Sequence, residues 1–147
     1  TLRIEMGHIA GSELDGRTIP YDNSLEGLVS KKKDFIGKRS LNRKAFIAED
    51  RQKVVGVVPI DKKTSIPEGS HLVKDSNAPL PNPKLGYISA SCWSVEYDNP
   101  FSLAILKNGK NMIGEKLFAM SPLKNIVIPV EIVSSHYVDP KGERVRS

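Results

Sequence analysis

A single cysteine, Cys92, is present among 147 residues, so no internal disulfide can form and a cysteine-rich metal site has no ligands. Histidine is almost as scarce. His8, His71 and His136 each stand apart from other ligand-type residues, and no metal site is expected. No apolar run approaches the roughly 20 residues that a bilayer-spanning helix requires, and the first residues lack the basic, apolar and small-residue order of a secretory leader. The reading is a cytoplasmic protein without a membrane segment. The glycines never fall into GxGxxG, and Gly37-Lys-Arg-Ser40 lacks the upstream glycine of a GxxxxGK[ST] loop, so phosphate binding has no local motif. Cys92 itself lies in an apolar run beside Trp93, where a buried thiol is structural rather than nucleophilic.

What the chain does have is one dense positive stretch. From Lys31 to Lys44 there are seven basic residues and one acid, a net of +6, while the whole chain carries +5. The remainder is close to neutral. Such a run is either a solvated face or a surface for an anionic partner. At 39% hydrophobic residues the chain can bury a core, and its length fits one domain, or a small domain plus the tail of a neighbour. It starts without Met inside the amphipathic-looking Thr1-Leu-Arg-Ile-Glu5, and it reads as part of something longer.

Hydrophobic periodicity predicts a helix end over Leu2 to Gly7, stopped by Gly7, then an irregular and little-packed stretch from Gly11 to Pro20. Asp22 or Asn23 is expected to cap a helical turn before Leu25-Glu-Gly-Leu-Val29, which continues as a strand into the lysines. Leu41 and Ala45, four apart, predict one amphipathic helix over Gly37 to Phe46, ending near Ala48. After Asp50 the texture becomes short β-type runs at 53–60, 71–73, 85–93, 101–106, 115–118 and 125–133. Six such runs predict a small barrel or sandwich. Pro59 and Pro129 are expected at strand ends, edges or bulges, and Asn108-Gly109 as a hairpin turn. Pro79-Leu-Pro-Asn-Pro83 shapes a surface loop.

Two carboxylate positions are candidates for chemistry. Glu5 shares a short apolar stripe with Leu2 and Ile4, where a carboxylate can accept two N–H bonds from a planar, amidine-like ring edge. It is equally read as a helix-end ion pair with Arg3 or a lysine. Asp139-Pro-Lys-Gly-Glu143 reads as a terminal turn.

Leu2-Arg-Ile-Glu-Met-Gly7, Thr18-Ile-Pro-Tyr-Asp22, Asp34-Phe-Ile-Gly-Lys-Arg-Ser-Leu41, Val55-Gly-Val57 and Leu85-Gly-Tyr-Ile-Ser-Ala-Ser91 occur in this order over nearly the whole chain. Together they resemble the C-terminal part of the aminomethyltransferase superfamily, which includes the glycine-cleavage T-protein, dimethylglycine dehydrogenases and the α subunit of heterotetrameric sarcosine oxidase. Ser91-Cys-Trp-Ser94, Ile113-Gly-Glu-Lys-Leu-Phe118 and Tyr137-Val-Asp-Pro-Lys-Gly-Glu-Arg144 look most like the last of these.

The resemblance implies a mainly β fold with some α. Residues 1–50 would be the short α+β tail of a folate-binding domain, and residues 51–147 a six-stranded antiparallel barrel. It implies tetrahydrofolate as cofactor, with FAD, FMN and NAD in parts outside this chain, and β, γ and δ subunits as partners together with a preceding part of the same chain. The catalytic group would precede Thr1. Glu5 matches a glutamate that binds the pterin edge. Lys33 stands where the family typically has a folate-contacting arginine, and lysine keeps the charge without the planar fork. Tyr21 is a candidate wall for the pteridine or aminobenzoyl ring, with ordinary packing as the alternative. Two other classes compete: a T-protein-like aminomethyltransferase without flavin, and a nucleic-acid-binding module. The second is weakened because only Phe35 is available to stack among the lysines.

Overall fold

The computed structural model describes residues 1–79, 81–144 and 146. All six β-type runs are strands: β1 Gln52–Pro59, β2 His71–Val73, β3 Gly86–Ser94, β4 Asn99–Lys107, β5 Lys116–Ser121 and β6 Ile126–Val133. They close an antiparallel barrel in the order β1-β4-β3-β2-β5-β6, with β6 returning to β1 through pairs such as Val57↔Ile132. Closure leaves no open sheet edge.

Side-chain alternation along the strands separates two cores. Val55 and Val57, Leu72, Ile88, Ala104 and Leu106, Leu117 and Ala119, and Ile128, Val130 and Ile132 form one buried cluster. Every strand contributes to it, so this is the barrel interior. The second cluster takes Val54, Val58, Ala90, Phe101, Leu103 and Ile105 from β1, β3 and β4, with Val133 of β6 packed against it. It is their outer face. Ile4, Ile9 and Tyr137, from the two ends of the chain, cover it. β4 is consequently buried on both faces over Asn99–Leu106. Gly56 permits this cover: a Cβ there would lie 2.3 Å from the Ser134 carbonyl oxygen and 2.7 Å from the Phe101 ring.

The first 50 residues are held in short pieces. α1 spans Leu2–Glu5, and Gly7 at φ +67° follows its end, as the sequence predicts. The helix expected over 37–48 is instead two single turns, α2 Lys38–Leu41 and α3 Lys44–Ile47, split where Arg43 is extended. Neither contains a buried residue, and a four-residue helix without tertiary cover has little to sustain it. No strand runs into the lysines. Glu26–Leu28 is a 3-10 turn, and the Ser30 hydroxyl accepts the Lys33 N–H at 2.9 Å, bending the chain there.

Asn108-Gly109 is not a hairpin turn. Asn108, at φ +55°, opens a 3-10 turn that carries the chain from β4 to β5, two strands that do not pair with each other. Pro59 closes β1 as expected. Pro129 lies within β6, where its carbonyl accepts the Ile60 N–H. The side missing a donor thus faces Ile60, one residue past the end of β1, so the absent bond is the one that would have extended the ladder. In the proline-rich stretch Leu80 lies outside the described residues, and Pro79, Pro81 and Pro83 are exposed.

Candidate functional site

The lysine stretch forms a folded loop. Lys38 Nζ donates to the carbonyls of Lys33 at 2.7 Å and Lys31 at 3.3 Å, so one ammonium group is consumed in shaping it. Lys31, Lys32 and Lys33 are exposed and form no ion pair among the described residues. Several clefts open on this loop, among them one of about 570 Å³ lined by Glu26, Lys31, Lys32 and Lys33; two others include aromatic residues. One, of about 290 Å³, is lined by Tyr21, Glu26, Lys31, Phe35 and Lys38. The other, of about 360 Å³, is mainly apolar and lined by Pro20, Leu25, Leu28, Phe35 and Leu41, with Lys33 at its wall. Tyr21 and Lys33 therefore share one neighbourhood.

Buried polar contacts fasten this loop to the barrel. The Asp22 carboxylate accepts Arg51 Nε at 2.7 Å and Nη2 at 2.5 Å, and its backbone carbonyl accepts the Val54 N–H at 2.7 Å. Arg51 also donates to the Ala45 carbonyl and lies 5.3 Å from the centre of the Phe46 ring, a cation–π contact. Lys53 Nζ reaches Glu26 at 2.8 Å. Burial pulls the Glu26 carboxyl upward, but the Lys53 hydrogen bond and charge outweigh it and hold the group below its ordinary value.

Glu5 occupies a different place. Its side chain is buried, and Oε1 accepts the Val95 N–H at 3.0 Å at the end of β3. Its carbonyl accepts the Tyr137 and Val138 N–H groups. Val54, beside the lysine loop, pairs with Ile105, whereas Ser94 pairs with Asn99. The two neighbourhoods thus lie toward opposite ends of β4, roughly 20 Å apart at about 3.4 Å per residue. Tyr21 and Lys33 are brought together; Glu5 is not brought to them.

The ion pair between Glu5 and Arg3 does not form. Arg3 reaches instead to Glu13, at 3.0 Å. Glu13 is fully buried in the stretch read as little packed, and it also accepts the Ala10 N–H at 2.9 Å. The ion-pair partner lies 10 residues away for Glu13 and 29 for Asp22, so neither pair carried a motif of adjacent residues. Burial would raise the Glu13 carboxyl, yet hydrogen bonds from a serine hydroxyl, the Ala10 N–H and Arg3 bring it below the ordinary range. Stabilisation from a lowered carboxyl is complete above that range and is lost as pH falls through the lowered value. Denaturation midpoints should fall between about pH 6 and about pH 3, and Glu13→Gln should flatten part of that slope. An unchanged slope would refute the assignment. Cys92 is half-buried, and burial, followed by the Glu5 charge, pushes its thiol up, away from nucleophile character. Among the described residues no group of three metal-ligand side chains converges, and no helix is long and apolar enough to cross a membrane.

No protein-family model matches the chain. Sarcosine oxidase subunit alpha of Rhizobium meliloti (strain 1021) is 38% identical over 146 residues, 98% of this chain. The corresponding subunits of Corynebacterium sp. strains P-1 and U-96 are 37% and 36% identical over 97% of it. The chain spans 15% of the length of these relatives. Among solved structures, the glycine cleavage system aminomethyltransferase T from Bartonella henselae matches with a TM-score of 0.74 over 94% of this chain and 37% of that one. At 20% identity this is a likeness of fold. With a closed barrel built like the C-terminal barrel of an aminomethyltransferase, the chain is homologous over nearly its full length to a segment of sarcosine oxidase subunits alpha.

Proposed function

We propose that this chain is a C-terminal piece of a sarcosine oxidase α subunit, contributing to the region that binds tetrahydrofolate. The observation that carries this reading is the 36–38% identity over 97–98% of the chain to sarcosine oxidase subunits alpha. The whole enzyme would oxidise sarcosine to glycine at flavin, with oxygen as acceptor and hydrogen peroxide as product. Tetrahydrofolate, when bound, would accept the released one-carbon unit as methylene-tetrahydrofolate.

In this reading residues 1–50 are the tail of the folate-binding domain and residues 51–147 the C-terminal barrel domain. The chemistry of the donor set fits a folate. Three unpaired ammonium groups beside an apolar cleft suit an aromatic body with an anionic glutamate tail. Lys33 and its neighbours would attract the tail, Tyr21 would wall the ring, and Glu5 would accept N–H bonds from the pterin edge. Glu5 and the loop lie at separate places on the barrel, so they would act on different parts of the ligand in a cleft completed by the rest of the subunit. FAD, FMN and NAD would belong to parts outside this chain, as would the catalytic group. The β, γ and δ subunits would be partners, in the cytoplasm. The aminomethyltransferase fold favours a second reading, a T-protein-like transfer without flavin, but the identity to that structure is about half that to the oxidase subunits.

The test is titration of tetrahydrofolate into the whole oxidase, wild type against Glu5→Gln and Lys33→Gln. Loss of a charged acceptor should weaken binding by about 1–3 kcal/mol at Glu5, and the Lys33 change should weaken polyglutamylated folate more than the monoglutamate. Absence of folate binding by the wild-type oxidase would overturn the reading, and unaltered binding in both variants would overturn the site.

A further inference from the structure

Four cationic side chains from separate stretches of sequence meet in a cleft of about 620 Å³, beyond Arg51 from the lysine loop. They are Arg17, Arg51, Lys84 and Lys107, with Tyr87 and Ile105 also in the lining. Charge counting along the sequence concentrates the positive excess at 31–44, so this second cluster exists only through folding. Its volume falls within the roughly 300–1,000 Å³ typical of small-molecule sites.

The cations divide into two kinds. Arg17 pairs with Asp15 through Nε at 2.8 Å and Nη2 at 2.5 Å on an open surface, and Arg51 gives Nε and Nη2 to Asp22 and Nη1 to the Ala45 carbonyl, so both of these charges are largely balanced by their own partners. Lys84 and Lys107 are exposed and make no ion pair among the described residues. Asp50 is the one acid in the lining. Its backbone carbonyl accepts the Asn108 N–H, which sets this residue beside the end of β4. The Tyr87 and Ile105 side chains belong to or pack on the outer core cluster, giving the cleft an apolar patch beneath a basic rim.

We infer that this cleft binds a small polyanion, with adjacent phosphate or carboxylate groups held between Lys84 and Lys107, beside the two paired guanidinium groups. It is separate from the residues proposed for folate, and it stands if that proposal falls. A charged neighbour on each side and a restricted volume favour a compact multiply charged ion over an extended polymer.

The experiment titrates inorganic pyrophosphate and, separately, citrate into the full-length protein that carries this chain and follows binding by calorimetry at low and raised salt. Saturable binding below about 10 mM is expected for at least one probe, and the tighter of the two identifies phosphate or carboxylate as the preferred group. Lys84→Gln with Lys107→Gln should weaken it by about tenfold or more, as loss of two charged donors requires. Asp50→Asn should tighten it, an outcome no unfolded variant can mimic. Lys124→Gln with Lys141→Gln removes the same charge elsewhere on the surface and should leave affinity unchanged. The inference is overturned if neither probe saturates, if the Lys84/Lys107 variant binds as the wild type does, or if the Lys124/Lys141 variant loses as much.

Discussion

Replacing Phe101 with alanine is expected to destabilise the chain by about 3–5 kcal/mol, a large share of the roughly 5–15 kcal/mol that holds a domain together. Phe101 is fully buried on the outer face of β4 and stacks on Tyr137, with ring centroids 4.3 Å apart and planes 6° from parallel. Truncation removes the ring's own burial and the surface on which Tyr137 lies. The space cannot be refilled from β1, because the facing residue is Gly56. Urea denaturation should show a lower midpoint with an unchanged slope, the signature of lost stability rather than altered compactness. Tyr137→Phe provides the comparison: it keeps the stack and loses only the hydroxyl contact with the Asn99 amide, at a cost of about 1 kcal/mol. A Phe101→Ala effect no larger than that of Tyr137→Phe would show that the outer cluster is a coat and not a second core.

Asp22→Asn should cost about 3 kcal/mol, and much of its effect should be local. The carboxylate is 2% exposed and serves three donors: Arg51 Nε, Arg51 Nη2 and the Ile19 N–H. Asparagine keeps the volume but leaves a partly buried guanidinium facing a neutral amide. Arg51→Lys should not be benign either, since a lysine cannot reproduce the two-pronged contact. Cleavage by trypsin at Lys31, Lys32 and Lys33 is the sensitive readout. In the Asp22→Asn variant it should accelerate under conditions where the barrel remains folded by circular dichroism, because the loop loses its anchor while the strands keep theirs. Equal protection of wild type and variant would mean that Lys53–Glu26 and the Val54 N–H suffice to hold the loop.

The strands were legible because short apolar, β-branched runs are written locally, whether buried on both faces as in Leu103-Ala-Ile-Leu106 or partly exposed as in Ile126-Val-Ile128. The strand order was not. The neighbour of β1 is β4 and then β6, and nothing inside Lys53–Val58 specifies either. The predicted helix over 37–48 failed for a related reason: Leu41 and Ala45 have helical spacing, but no core element lies beneath them. Periodicity reports what a segment is able to bury, and tertiary placement decides whether it does. Site residues divided similarly. Glu5 came from its apolar stripe and the family resemblance, and Tyr21 and Lys33 from the resemblance, while Glu13 escaped notice and Asp22 was read only as a helix cap, because the ion pair of a buried carboxylate depends on a partner such as Arg51, distant in sequence. The basic cleft escaped too, since its four cations are contributed singly.

The contact between Glu5 and the Tyr137 and Val138 amides has a consequence for the order in which the molecule can form. Because synthesis runs from the N-terminal side, Ile4 and Ile9 are made before the β3–β4 hairpin and the residues after β6 that receive them. Closing a loop of nearly the whole chain comes late in folding, when most strand pairing has already reduced its entropic cost. Among these residues, the segment around Ile4 and Ile9 is therefore one of the last to find its native place, although it leaves the ribosome before the strands it covers.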